Sequence, residues 1–195
     1  MKLKILFVST EVPPFAKTGG LADVSGALSP ALKKLGHDIR VIMPKYPCTS
    51  KAGKGMQPLK VDLDIPGFNQ KGTLFQSELT DSVPVYLIEH DDYYNREHIY
   101  GEPGSDYPDS LERFAFFCRA VLETAKKLDF KPDIIHCNDW HTGTGLGLSI
   151  CQKSLKIIEE PFEWKTTWVK GLSSISIYRC KRGPIIIKTS VSQAC

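Results

Sequence analysis

Nowhere among the 195 residues do the ~20 consecutive apolar residues of a membrane span occur. The early apolar run Ile5–Val8 is too short for a secretory signal, and Glu11 follows it without a small-residue cleavage site. No two of the six cysteines (48, 118, 137, 151, 180, 195) form a CxxC pair, so a dense disulfide scaffold is excluded. Neither GxGxxG nor the GxxxxGK[ST] P-loop is present, which argues against a nicotinamide oxidoreductase and a P-loop NTPase. Charge of one sign is also missing. With 25 Lys/Arg against 22 Asp/Glu the net charge is +3, and nothing demands the concentrated basic face of a nucleic-acid binder. Repeats and low-complexity tracts are absent. What remains is a cytoplasmic-type chain with reduced thiols, long enough for one α/β domain, or a domain with an appendage.

The charge changes character along the chain. Residues 1–147 hold 17 Lys/Arg and 19 Asp/Glu, whereas residues 148–195 hold 8 and 3. All twelve Asp and all five His precede residue 148. That shift predicts a boundary, either of domain or of reading frame, at 147/148.

Residues 3–9 read as a buried parallel strand ended by Pro13-Pro14. Leu21, Val24, Leu28, Leu32 and Leu35 recur at helical spacing, with Pro30 expected to kink or shorten that helix. Ile39–Pro44 completes a βαβ unit. Residues 59–65, 73–79 and 83–88 predict strands at hairpin spacing. Asp109 and Glu112 form a capping-box pattern before a helical stripe from Leu111 to about Lys127. Residues 133–137 read as a short buried strand, and a further helix is expected from Gly143. Ile185-Ile186-Ile187 has strand character without an evident partner.

Two turns hold the candidate chemistry. The first, Lys17-Thr18-Gly19-Gly20-Leu21-Ala22-Asp23, joins the first strand to its helix. A helix start there presents unpaired N–H groups, two glycines permit close backbone approach, and Lys17 adds a mobile charge, which together suit a diphosphate. An ordinary glycine turn is the plainer alternative. The second is His136-Cys137-Asn138-Asp139-Trp140-His141-Thr142-Gly143, after a buried strand. Its polar residues are expected to face the same crevice, or else to cap a helix through Asn138 or Asp139. As a zinc site His136, Cys137 and His141 lack a fourth ligand. Asp62-Leu63-Asp64 is similar to the acidic pair that some sugar-nucleotide enzymes use for a divalent metal, but in an alternating strand the two carboxylates more simply share the solvent face. Tyr93, Tyr94, Tyr100 and Tyr107 surround a glycine loop that suits either sugar stacking or buried packing.

These segments carry a resemblance. Ser9-Thr10-Glu11-Val12-Pro13-Pro14 running into Lys17–Val24, then Gly36-His37, Met43-Pro44, Tyr100-Gly101, Asp106-Tyr107, Arg113-Phe114 and Pro132–Gly143 follow one another as in bacterial glycogen synthases and plant starch synthases that use ADP-glucose. The chain resembles the N-terminal part of that family over residues 1 to about 147. The resemblance implies a Rossmann-like α/β domain of a GT-B glycosyltransferase. It implies a retaining transfer of glucose from ADP-glucose to the non-reducing end of an α-1,4-glucan, with no metal or other cofactor. By the same analogy Lys17, Gly19 and Gly20 bind the nucleotide sugar, and Asp139 and His141 are the catalytic-side residues. Thr18, Asp23 and Asn138 are further cleft-lining candidates. The location implied is cytoplasmic, or a plastid for a mature plant form.

The chain departs from the family after Asp139-Trp140-His141. The family's next strand carries an Ile-His-Asn sequence, and no His follows 141 here. Residues 148–195 show no likeness, and the second, donor-binding domain is not found. A frameshifted or truncated product, inactive alone, is therefore expected. The alternative is a non-catalytic glucan- or partner-binding remnant. Sequence assigns no oligomeric state.

Overall fold

The computed structural model describes residues 1–52, 57–142, 163–167, 174–179 and 185–190. The strand expected at 3–9 is β1 (Lys4–Val8), and the helix that follows is α1 (Gly20–Lys34). The βαβ unit closes with β2 (Asp38–Pro44), paired parallel to β1. A short helix α2 (Pro47–Ala52) precedes β3 (Gln57–Asp64), β4 (Lys71–Leu79) and β5 (Val83–Glu89). Next come α3 (Asp91–Tyr94), the small hairpin β6 (Gly101–Glu102) and β7 (Ser105–Asp106), α4 (Ser110–Lys127) and β8 (Ile134–Asn138). Strands β9 (Glu163–Thr167), β10 (Ser174–Arg179) and β11 (Ile185–Ser190) follow.

Among the described residues nine strands make one sheet in the order β3-β4-β5-β2-β1-β8-β11-β10-β9. The five central strands, β5 to β11, run parallel, and antiparallel strands extend both sides. Burial on both faces explains why the central strands read as continuous apolar runs. Leu6, Phe7, Val8, Val41, Ile42, Met43 and Leu87 are fully buried. The chain leaves β1 toward β2 on one side and returns through α4 to β8 on the other. This reversal of direction across β1 is the switch point at which open α/β sheets form their crevice. Because Val8 lies opposite Cys137, the carboxyl ends of β1 and β8 finish level with each other.

Three expectations need correction. Helix α1 runs through Pro30 without ending there. Leu28 and Leu32, on either side of the proline, pack against the core and offset the one backbone bond it removes. The face α1 buries is wider than the expected leucine stripe and stops short of its end: Ala22, Ser25 and Ser29 are inside with Leu21, while Leu35 is exposed. The two serines bond to carbonyls one turn back, Ser25 to Leu21 and Ser29 to Ser25, so small satisfied side chains lie against the sheet. Gly36 then ends the helix at φ +91°, a conformation glycine adopts without strain.

Asp109 does precede α4, but no capping box forms. Its carboxylate pairs with Arg96, and Glu112 accepts a bond from the Tyr93 hydroxyl at 2.5 Å. Ile185–Ile187 finds its partner in β8, with Ile187 opposite His136. That parallel pairing seats β11 in the same sheet as β1. The helix expected from Gly143 and the boundary expected at 147/148 lie outside the described residues. Among the described residues no helix is long and apolar enough to cross a membrane.

Candidate functional site

The first turn is organised by a buried acid. Beyond β1, Ser9, Thr10 and Glu11 are all buried, Glu11 to 2% exposure. Glu11 Oε2 accepts the backbone N–H of Thr18 at 2.5 Å and of Gly19 at 3.3 Å. Its Oε1 accepts the Thr18 hydroxyl at 2.7 Å and the Tyr100 hydroxyl at 2.5 Å. Two of the N–H groups expected to face an anion are therefore taken by the protein itself. Those of Gly20 and Leu21, in the first turn of α1, lack intrahelical partners by geometry.

Lys17 is exposed and paired with the equally exposed Asp23, a contact worth little in water and readily exchanged. A Cβ built on Gly19 or Gly20 meets no atom within 4 Å, so packing within the chain requires neither glycine. A cavity of about 610 Å³ opens beside this turn, lined by Phe15, Lys17, Thr18, His98, Tyr100 and Gly101 among others. At Gly101 a side chain would collide with the Ser105 carbonyl across the β6–β7 hairpin, which confines that position to glycine.

At the second turn the chain leaves β8 through Asp139, whose φ is +65°. Aspartate tolerates this left-handed conformation better than most residues. Asp139 Oδ1 accepts the Trp140 N–H at 2.7 Å, and the Asp139 N–H donates to Thr189 of β11 at 2.6 Å. Asp139→Asn is expected to hold the urea midpoint, whereas Asp139→Ala should cost about 1–2 kcal/mol through the lost side-chain bond and the strained φ.

The polar cluster at this turn does not open into the crevice as a whole. Trp140 is exposed and Asp139 half-buried, but His136, Asn138 and His141 are buried. Asn138 donates to the Val8 carbonyl at 3.0 Å, tying β8 to β1. The Thr189 hydroxyl donates to Asn138 Oδ1 at 3.1 Å and lies 3.2 Å from His136 Nε2. Burial pushes His136 down to about 4. His141 is pushed down to about 3, first by burial and then by the nearby Arg113 charge. Both imidazoles are therefore neutral at physiological pH, and His141 can serve as a hydrogen-bonding group but not as a stored acid.

Tyr100 joins the two turns. Its hydroxyl donates to Glu11, and its ring stacks on His141 at 4.5 Å between centroids. Phe114 and Trp140 complete an aromatic cluster around His141. Lys17 and Thr18 thus line the cavity, while Asn138, Asp139 and His141 are not among its lining residues and His141 meets it through the ring of Tyr100. The sequence places Glu11 and Tyr100 within matching family motifs, and Tyr100 in an aromatic loop, but assigns neither a role at the site. The signal for Glu11 was a lone acid placed just past a buried strand. Asp62 and Asp64 are both exposed, and Asp64 pairs with Lys71 at 3.1 Å. Tyr93 and Tyr94 are buried in packing. Among the described residues no group of three or more His, Cys, Asp or Glu side chains could hold a metal ion.

The sequence profile of the starch synthase catalytic domain matches residues 4–157. The chain belongs to that family. It is 41% identical to glycogen synthase 2 of Geobacter sulfurreducens over 194 residues, covering 98% of this chain and 39% of that protein. It is 52% identical to glycogen synthase of Geotalea uraniireducens over 142 residues, covering 72% of this chain and 29% of that protein. Among solved structures, the catalytic domain of starch synthase IV from Arabidopsis thaliana bound to ADP and acarbose matches with a TM-score of 0.66. That match is 32% identical and covers 76% of this chain and 30% of the other. The mixed α/β sheet is thus the starch synthase type of fold, and the chain spans about two fifths or less of the relatives it matches.

Proposed function

We propose that this chain supplies one wall of the active-site cleft of a retaining glucosyltransferase that moves glucose from ADP-glucose to the non-reducing end of an α-1,4-glucan. The observation that carries this is family membership over residues 4–157, combined with two chemistry-bearing turns at the level ends of β1 and β8. A starch synthase neighbour bound to ADP and acarbose, a nucleotide and a sugar-like ligand, supports the same pair of ligand classes here.

In this role Lys17 and the N–H groups heading α1 meet the diphosphate. Cleaving the glycosyl–phosphate bond leaves negative charge on the departing diphosphate, and donors already aimed at it stabilise that charge without reorganising. Gly19 and Gly20, bare of side chains over open space, let the nucleotide approach the backbone. Asp139 and the neutral His141 serve the sugar side, His141 through hydrogen bonding, with Asn138 holding the ends of β1 and β8 together. Thr18 and Asp23 hold the turn and Lys17 respectively.

The test is a chimaera in which residues 1–142 replace the matching segment of the Geotalea uraniireducens enzyme. It is expected to incorporate labelled glucose from ADP-glucose into glycogen; a folded chimaera without incorporation would overturn the proposal. Within it, Lys17→Ala should lower kcat/KM for ADP-glucose about 10- to 100-fold, the worth of one charge-assisted contact, while leaving the urea midpoint unchanged. Unaltered kinetics would remove Lys17 from the site. The chain alone is expected to show no incorporation, because proximity and leaving-group stabilisation both need the rest of the cleft. The division at 147/148 belongs to the same proposal: alignments that cover 72% of the chain favour it, whereas the family match to residue 157 and the 194-residue alignment run across it.

A further inference from the structure

We infer that Glu11 is the positioning residue of the diphosphate turn: it shapes residues 17–20 from beneath and does not itself meet the nucleotide. The role rests on the function proposed above. Four donors converge on this one carboxylate, two backbone N–H groups of the turn and the hydroxyls of Thr18 and Tyr100. A carboxylate has about four acceptor sites, so these donors occupy Glu11 fully. The N–H groups of Thr18 and Gly19 are drawn inward, which leaves the backbone at Gly20 and Leu21, with Lys17, to face a ligand. The side chain is held in turn by its own backbone, since the Ser9 hydroxyl donates to the Glu11 carbonyl at 2.8 Å.

The same carboxylate sets Tyr100. With the Tyr100 hydroxyl donating to Glu11, Thr10 Oγ1, 2.9 Å from that hydroxyl, is left to donate to it. Tyr100 in turn stacks on His141. One buried acid therefore fixes both the diphosphate turn and the aromatic neighbour of the sugar-side turn.

Substitutions separate shape from charge. Glu11→Gln can present its Oε1 to the two N–H groups and its NH₂ to the two hydroxyl oxygens, which rotate to accept. Glu11→Ala leaves every donor without a partner. Glu11→Asp keeps the charge but withdraws it by one methylene. The probe is ADP, titrated into the full chain while backbone amides are followed by NMR, with hydrogen exchange recorded on the same samples.

In the wild-type chain ADP should move the Gly20 and Leu21 amides more than those of Thr18 and Gly19. Glu11→Ala and Glu11→Asp should weaken ADP binding about tenfold or more and speed exchange at Thr18 and Gly19 about 10- to 100-fold, while Glu11→Gln stays close to wild type. Wild-type affinity in both Glu11→Ala and Glu11→Asp, or a Glu11→Gln loss as large as that of alanine, would overturn the inference alone. Failure of millimolar ADP to move any amide of the wild-type turn would overturn the proposed diphosphate seat and this inference with it. Should Glu11→Ala fail to fold, the contrast between Glu11→Asp and Glu11→Gln decides the matter.

Discussion

Acidification from pH 7 to pH 5 is expected to lower the chain's urea midpoint steeply. His136 and His141 are held neutral to about 4 and about 3, against an unperturbed imidazole value of about 6.5. Below pH 6.5 the unfolded chain binds two protons that the native chain refuses. Stability is therefore present in full above pH 6.5 and lost as pH falls, until His136 titrates near 4 and His141 near 3. Each imidazole withdraws about 1.4 kcal/mol per pH unit, so by pH 5 the pair has removed about 4 kcal/mol, a large share of an ordinary domain's stability. His90, also lowered by burial, adds loss of the same sign. Urea unfolding at pH 7, 6 and 5 checks this, with imidazole NMR titration assigning the groups. Equal midpoints at the three values would mean that both rings reach solvent and titrate normally.

Truncating Arg113 should cost nearly as much. Its side chain is fully buried in α4, and its guanidinium donates to the Tyr93 carbonyl at 2.7 Å and the Ile99 carbonyl at 3.0 Å. Those two bonds tie the segment that carries Tyr100 to the helix behind it. Arg113→Ala removes the packing of a long side chain and leaves buried carbonyls without donors, an expected loss of about 3–5 kcal/mol. Arg113→Met restores most of the volume but not the bonds, and should recover only part of that loss. Because the Arg113 charge also holds His141 down, both variants should raise the native value of His141 and soften its share of the acid effect. A methionine variant as stable as wild type would mean that the guanidinium's desolvation cost cancels its two bonds. Urea unfolding and the His141 titration read the two consequences separately.

Much of this architecture is local, and local features are legible in the chain. The runs at β1, β2, β5 and β8 are apolar because both faces of a parallel strand are covered, and that composition shows without coordinates. The stripe of α4 and the turn chemistry of Lys17–Gly20 are equally local, since each follows from residues within a few positions of one another. The order of the motifs also sufficed to indicate the family to which residues 4–157 belong.

Contacts between distant residues were not legible. Glu11 reaches Tyr100 across 89 positions, Asn138 reaches Val8 across 130, and β11 finds β8 from beyond residue 184. Nothing in the spacing of these residues signals such pairs, because folding, not sequence separation, sets which polar groups are buried together. Burial then decides what each group can do. It makes His141, expected on the catalytic side, a neutral hydrogen-bonding ring, and it turns the small polar face of α1 into a packing surface. Sequence was enough for the elements and the family, where neighbouring residues carry the signal. The working shape of the site came from tertiary structure, where desolvation and long-range hydrogen bonds carry it.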